Sequence, residues 1–520
     1  MTVGLPSMKH IVLYAMRGWG HMKPLFSLII RMAEAREDVI MTFLIDEKFD
    51  KVMGELAKLS DQRLKAIEDR IHVIDMRGNL HRSSLNGVTI DHSTGLYSAF
   101  KALYHSESLT CKTSGKVIEG LPRPTIAIID TLGMCDMEVI RSIAPSRDVR
   151  IFAWVSGPLS AAMRQYGPKQ SGGRELWKRI RREAAETGND VLEVCTRLYT
   201  STTGEIVHMP GFAPLYDYQW FTQDEKVEEI MPLRINAWKF FEAIDGALSP
   251  TTSVLEEGLT IAMKEYMNGL GKPFFCVGFV AANIQSSECD HPKNEDEVEV
   301  STFLVNMEEK FGSGSVIYIA FGTFWWPLEP AKLYALIDQL IINQTPFIFA
   351  HSSRIANVPE DVSSRISAVE FGLELNWAPQ DSILRHPATG WFITHGGWNS
   401  VQESLRYGVP LIVWPLADDQ PINAVLVALV HRVGFELMTV RTGEKGRTKP
   451  YTISEHCDWG KFTVEDLRNE VNVLLGKMKS EEGREVRRNV ERIKKEISGL
   501  WTDGGEARKE LEKFFVDCVD

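Results

Sequence analysis

Late in the chain a glycine-led turn, short polar side chains, a carboxylate and an aspartate–amide pair stand close together: Gly396-Gly397-Trp398-Asn399-Ser400, then Glu403, then Asp418-Asp419-Gln420. GWFITH, residues 390–395, reads as a buried strand of apolar and β-branched residues. The helix that opens at Trp398 runs through VQESLRY and stops at Gly408, where a left-handed cap is easiest. VPLIVWP, 409–415, is the next strand. A helix that leaves a glycine turn directly after a strand presents backbone N–H groups and the positive end of its dipole. That suits an anion, and phosphate above all. Ligands of an open parallel sheet lie at the carboxyl ends of its strands, where both the turn and Asp418-Asp419-Gln420 fall. Glu403 has two readings. Ser400-Val401-Gln402-Glu403 fits a capping box, and the same carboxylate could accept from vicinal hydroxyls. Phosphate donors, a carboxylate and an Asp-Gln pair together describe a site for a sugar nucleotide.

A histidine and an aspartate far from this stretch could move a proton. His21 lies in Gly18-Trp19-Gly20-His21-Met22-Lys23-Pro24, at the carboxyl end of the first strand, HIVLYAM. Asp130 ends the apolar strand TIAIID, and an acid there is costly unless it is exposed at the tip or paired. A parallel neighbour beginning at 125 would set its tip beside the first strand's tip, within reach of His21. Asp136 is the rival, expected inside the following helix and facing solvent. Gly18 and Gly20 also suggest a dinucleotide fingerprint, but its third glycine is missing, which disfavours hydride transfer.

The elements that must hold these residues alternate. Strands are expected at HIVLYAM, VIMTFLID, RIHVIDM, TIAIID and DVRIFAWV, with PLFSLIIRMAEAR an amphipathic helix, 47–70 a charged helical stretch and 78–92 a polar loop. Residues 169–190 read as a charge-rich solvated helix, and 284–300, acidic and aperiodic, as an interdomain linker. The pattern then restarts with SVIYIAFGT, LEPAKLYALIDQLII, PFIFAHS and AVEFGLELNWAPQ, and closes with charged helices at 464–479 and 481–500. This is the pattern of doubly wound α/β sheets. At 520 residues there is room for two to three domains. A net charge of −12 argues against nucleic acid, and a hydrophobic content of 44% with a mean hydropathy of −0.14 is that of an ordinary soluble protein. Seven scattered cysteines suggest neither a disulfide framework nor a zinc site, and fit a reducing, cytoplasmic setting. No signal peptide or membrane span is evident.

From Trp377 to Gln420 the sequence closely resembles the signature box of the family 1 UDP-dependent glycosyltransferases of plants. The matching positions are Trp377, Pro379-Gln380, Leu384, His386, Phe392, His395, Gly397-Trp398-Asn399-Ser400, Glu403, Gly408, Pro410, Pro415 and Asp419-Gln420. Gly396 departs from the cysteine usual in plants. The resemblance implies a GT-B architecture, two doubly wound Rossmann-like domains facing across a cleft. The acceptor domain would be 1–283, the UDP-sugar domain 301–490, and 491–520 a terminal helix packed back on the first domain. Animal UDP-glucuronosyltransferases of the superfamily carry a signal peptide and a tail anchor; this chain resembles the soluble branch, and a monomer is expected.

The same resemblance implies roles. His21 takes the place of the family's base, and Asp130 that of the carboxylate that orients it. Trp377 would stack on uracil and the Gln380 region would bond the base edge. Glu403 would take the ribose hydroxyls. His395, Gly397, Asn399, Ser400 and Thr323, the last in AFGT, would hold the diphosphate, and Trp398, Asp419 and Gln420 the sugar. A terminal glutamine is associated with glucose. The implied reaction is an inverting transfer from UDP-glucose to a small apolar or aromatic acceptor, with neither metal nor other cofactor. The alternatives are another UDP-sugar or a non-catalytic UDP-sugar binder. Candidate acceptor-lining residues are Trp19, Met22, Leu132, Met134, Trp154, Phe212 and Trp220, while Trp325-Trp326 is either local packing or an aromatic wall.

Overall fold

Unbroken apolar runs, rather than alternating ones, are what strands buried on both faces require, and here they build two all-parallel sheets. The computed structural model describes residues 8–15, 18–77, 80–85, 88–145, 147–224, 227–280, 295–453 and 459–520. The chain divides into two units. Unit 1 takes 1–201, 227–289 and 499–520; unit 2 takes 202–226 and 290–498.

In unit 1 the strands are β1 (Lys9–Tyr14), β2 (Val39–Ile45), β3 (Ile71–Asp75), β4 (Ile126–Asp130), β5 (Arg150–Trp154), β6 (Gly246–Ser249) and β7 (Phe274–Cys276). Their spatial order is β3-β2-β1-β4-β5-β6-β7. The chain first winds outward from β1 and then returns to start again at β4. Loops at the carboxyl ends of β1 and β4 therefore diverge and leave a crevice at the switch point. Register sets Tyr14 beside Ile129 and Asp130 beside Trp154. Helix α1 (Trp19–Ala35) follows β1, α2 (Met134–Ile143) follows β4, and α3 (Leu159–Tyr166) follows β5.

Unit 2 repeats the plan with β8 (Val316–Ala320), β9 (Phe347–Ala350), β10 (Gly372–Leu375), β11 (Thr389–Thr394), β12 (Leu411–Val413) and β13 (Gly434–Glu436), ordered β10-β9-β8-β11-β12-β13. Its switch point lies between β8 and β11. Helix α5 (Trp398–Tyr407) follows β11, and the short α6 (Gln420–Val425) follows β12. Helices Val464–Lys479 and Glu481–Ser498 fall where the charge pattern puts them.

Four expectations differ from the structure. Residues 78–92 are not simply a loop, because Leu80–Leu85 pairs antiparallel with Val88–Ser93. Of the expected linker 284–300, residues 295–300 already belong to the helix Glu295–Phe311, and 284–294 lie outside the described residues. Residues 202–226 cluster with unit 2, not with the first 283 residues. Their buried hydrogen bonds explain this: the Thr222 hydroxyl donates to Pro415 O, and the Gln223 amide to Pro415 O and Val440 O. The return of the chain to unit 1 starts at 499 rather than 491.

Helix α7 (Glu506–Phe514) seals the core of unit 1. Phe514 is 0% exposed and meets Phe152 and Phe275 edge-on at 5.4 Å each. Glu506 accepts from Ser253 N and the Thr252 hydroxyl, at the start of α4 (Ser253–Gly269), and Glu510 pairs with Lys264. Truncating such a ring leaves a cavity lined by aromatics. Phe514→Ala should therefore cost about 3–5 kcal/mol, read as a lowered denaturant midpoint with the slope unchanged. A change below about 1 kcal/mol would show that the tail is not part of the core.

Candidate functional site

At the switch point of unit 1, α1 starts at Trp19 with Gly18 as its N-cap, so His21 stands in the first helical turn rather than in a loop. Its Nδ1 lies 2.6 Å from Asp130 Oδ2. Asp130 is 1% exposed, and its other oxygen, Oδ1, accepts from Leu132 N at 3.2 Å. An ionised carboxylate can only accept, so the proton of a neutral His21 sits on Nδ1 and Nε2 is left as the basic nitrogen. The hydroxyl of Ser156 lies 3.1 Å from the same Nδ1. The sequence reading passes over Ser156, although its place just beyond the tip of β5 follows the same strand-tip logic.

The loop that carries Ser156 is itself held. Helix α3 has Pro158 as its N-cap and no side-chain cap of its own. Glu256 supplies one from α4: its carboxylate accepts from Leu159 N and Ser160 N at 2.8 Å each, and from the Thr251 hydroxyl. Glu256 sits at a non-helical φ of −138° inside α4, which aims its carboxylate across to α3.

Asp136 is in the first turn of α2, as expected, but it does not face solvent freely. Burial, together with the charges of Asp46 and Asp130, pushes its carboxyl up to about 7. A carboxyl raised in the folded state keeps its proton where the unfolded chain, at the ordinary 3.8, has lost it. Its cost to stability accordingly grows as pH rises from about 3.8 to about 7, and is complete above that. Asp136→Asn should therefore raise the melting temperature more at pH 8 than at pH 5, with turnover little changed. A collapse of turnover would make Asp136 the partner of His21.

Around the switch point of unit 2 the box residues come together. Trp377 is 42% exposed, an uncovered aromatic face. The Gln380 amide donates to Glu403 Oε2 at 2.5 Å, while Tyr318 OH donates to Gln380 Oε1 at 3.3 Å. These bonds tie the residues after β10 to the flank of α5. The capping-box reading of Glu403 fails. Helix α5 begins at Trp398 with Gly397 as N-cap and no side-chain cap, so Ser400 is its third residue. Gly408 ends the helix in the left-handed region at φ 79°, as the sequence indicates.

His395, 8% exposed at the tip of β11, is held neutral: burial lowers its pKa to about 4. Its ring is framed by two glycines. A Cβ at Gly397 would stand 2.5 Å from Nε2, and one at Gly322, the residue before Thr323, 3.0 Å from Cε1. The close approach brings Thr323, His395 and the start of α5 to one place. Gly396 adopts φ 83°, a conformation that penalises a side chain, and a Cβ there would stand 2.5 Å from Val413 Cγ1.

Gln420 is 1% exposed, and its Oε1 accepts from Leu416 N and Ala417 N, so its amide nitrogen is the end left for a ligand. Asn423, four residues beyond Asp419, donates to Asp419 Oδ2 at 2.9 Å and to Gly396 O at 2.8 Å. It links the loop between β12 and α6 to the turn before α5, and the i,i+4 spacing was the available signal. Asn399 is half-buried, and the Trp398 ring is 3% exposed, so only the backbone of Trp398 stands at the helix start.

The acceptor candidates divide. Leu132 and Met134 are half-buried directly after Asp130. Met22 (1% exposed) and Trp154 (0%) belong to the buried core of unit 1. Trp19 packs partly against that core, with Lys51 Nζ 6.0 Å from its ring. Phe212 and Trp220, both half-buried, belong to unit 2. Trp326 is packing: it is 8% exposed, against Phe321 and Phe349. Among the described residues, no helix is long and apolar enough to cross a membrane.

The profile described as UDP-glucoronosyl and UDP-glucosyl transferase matches residues 293–442. UDP-glycosyltransferase eriJ of Hericium erinaceus is 28% identical over 519 residues, 96% of each chain. Flavonol 3-O-glucosyltransferase F3GT2 of Actinidia chinensis var. chinensis is 34% identical over 193 residues, 36% of each chain. Among solved structures, a UGT transferase from Siraitia grosvenorii in complex with UDP has a TM-score of 0.65 at 17% identity, covering 98% of this chain and 99% of that one. Phytolacca americana UGT2 complexed with UDP-2fluoro-glucose and pterostilbene has a TM-score of 0.64 at 18% identity, with the same coverage. The fold is that of the GT-B glycosyltransferases.

Proposed function

The chain belongs to the family 1 UDP-dependent glycosyltransferases, and on that premise we propose that it is an inverting glucosyltransferase acting on a hydroxyl of a small apolar or aromatic acceptor. The observation that carries the reading is the 2.6 Å contact of His21 Nδ1 with buried Asp130. A protein that only binds a UDP-sugar has no use for an oriented base.

In this reading the Trp377 face stacks on uracil. Glu403, steadied by Gln380, accepts from the ribose hydroxyls. The N-terminus of α5, Thr323, Ser400, Asn399 and neutral His395 surround the diphosphate; there the charge that develops on the leaving UDP meets fixed dipoles. A neutral imidazole is suited to this, since it can donate an N–H while taking no proton from the reaction. Asp419 and the Gln420 amide address the sugar. Glucose is favoured by that terminal glutamine and by relatives named as glucosyltransferases. His21 Nε2 takes the proton of the acceptor hydroxyl, whose oxygen bonds to the anomeric carbon as the bond to UDP breaks on the opposite face. Asp130 stabilises the imidazolium that results. One displacement inverts the centre, so an α-linked donor gives a β-glucoside. Leu132 and Met134 supply apolar contact beside the dyad.

No step calls for a metal, and turnover should persist in EDTA. His21→Ala should lower turnover by roughly 10²–10⁴-fold and leave UDP affinity, measured by calorimetry, nearly unchanged. UDP affinity collapsing along with rate would remove His21 from the acceptor side. An α-linked product by NMR would contradict the single displacement.

A further inference from the structure

The loop between β12 and α6 is built under constraint. Asp418 lies at φ 57°, in the left-handed region that aspartate enters more readily than most non-glycine residues. Inside the loop, Gln420 Oε1 gathers Leu416 N and Ala417 N, and Asn423 holds the Asp419 carboxylate. The loop's entry, at Pro415, is fixed from elsewhere in the sequence. Pro415 O accepts from the Thr222 hydroxyl at 3.2 Å and from Gln223 Nε2 at 3.0 Å. Gln223 Nε2 also donates to Val440 O at 3.3 Å, and its Oε1 accepts from the Thr442 hydroxyl at 3.0 Å. Thr442 N donates to Thr222 O, and Asp224 N to the Thr442 hydroxyl. All three side chains are buried: Thr222 is 1% exposed, Gln223 5% and Thr442 5%. Both capacities of the Gln223 amide are used, and no apolar replacement of similar shape could reproduce them.

We propose that Gln223 and Thr222 are positioning residues for donor-sugar selection. They clamp Pro415 and so fix how Asp419 and the Gln420 amide meet the sugar hydroxyls. The inference rests on the reading of 416–420 as the sugar side of the site. Of the nucleoside residues, Trp377 lies after β10, Gln380 opens the helix Gln380–Arg385 and Glu403 lies within α5, and none takes part in the hydrogen bonds that form this clamp among the described residues. Loosening the clamp should therefore disturb the sugar and spare UDP.

The test compares the ratio of kcat/KM for UDP-glucose to that for UDP-galactose, which is independent of the active fraction of a preparation, with the Kd of UDP. Gln223→Leu should lower kcat/KM for UDP-glucose by roughly 3- to 10-fold and shift the ratio, while the Kd of UDP moves by less than about twofold. Thr222→Val should do the same more weakly, and Thr222→Ser, which keeps the hydroxyl, should restore the wild-type ratio. Thr222→Val remains informative if Gln223→Leu does not fold. Folded variants with an unchanged ratio, or with equal losses for UDP and UDP-glucose, would overturn the proposal. Gln420→Ala serves as reference. A ratio moved by Gln420→Ala but not by the clamp variants refutes the clamp alone; a ratio indifferent to Gln420→Ala refutes the sugar-loop reading and the clamp with it.

Discussion

The carboxylate of Asp130 is buried at the tip of β4, where a charge persists only with donors at hand. Leu132 N satisfies one oxygen and His21 Nδ1 the other. That single ion–imidazole contact sets the proton of a neutral His21 on Nδ1, leaves Nε2 as the accepting nitrogen, and decides which way the ring faces. It exists because β1 and β4 are neighbours although more than a hundred residues separate them. The right-handed winding of a parallel sheet imposes that neighbourhood and opens the crevice at the same point.

Unit 2 applies the same topology to a different chemical end. Its tips at β8 and β11 bring Thr323 and His395 together, and close packing around glycine admits the imidazole. The two histidines stand in different surroundings. His21 has the Asp130 carboxylate 2.6 Å from its Nδ1. His395 is wrapped by protein and held neutral, with a pKa near 4. The first is suited to accept a proton, the second to offer a hydrogen bond to an anion without titrating.

Much of this is legible in the sequence, for physical reasons. Strands buried on both faces read as unbroken apolar runs, so TIAIID and VIMTFLID leave little doubt about their place. A polar residue that ends such a run must lie at a tip, and this exposes Asp130 and His395. Other features are not local. LHRSSL and VTIDHS are polar enough to pass for loop, yet they pair with each other. Met22 and Trp154 have the side chains of an aglycone pocket, but residue type does not say which side of a strand or helix faces inward. Ser400 and Glu403 have capping-box spacing, whereas the helix starts two residues before Ser400 and Glu403 binds Gln380 instead. Nothing near Gln223 announces that its amide will close on Pro415, because that contact spans 192 residues.

The central claim is that His21 and Asp130 act as one device on the acceptor proton. A double-mutant cycle measures this directly, from the turnover of His21→Ala, Asp130→Asn and the double variant, each checked for native melting and UDP binding. If Asp130 works only through the imidazole, removing it after His21 is gone should cost nothing further, and the double variant should match His21→Ala within about twofold. Losses that multiply would mean that the two residues act independently, and would contradict the account.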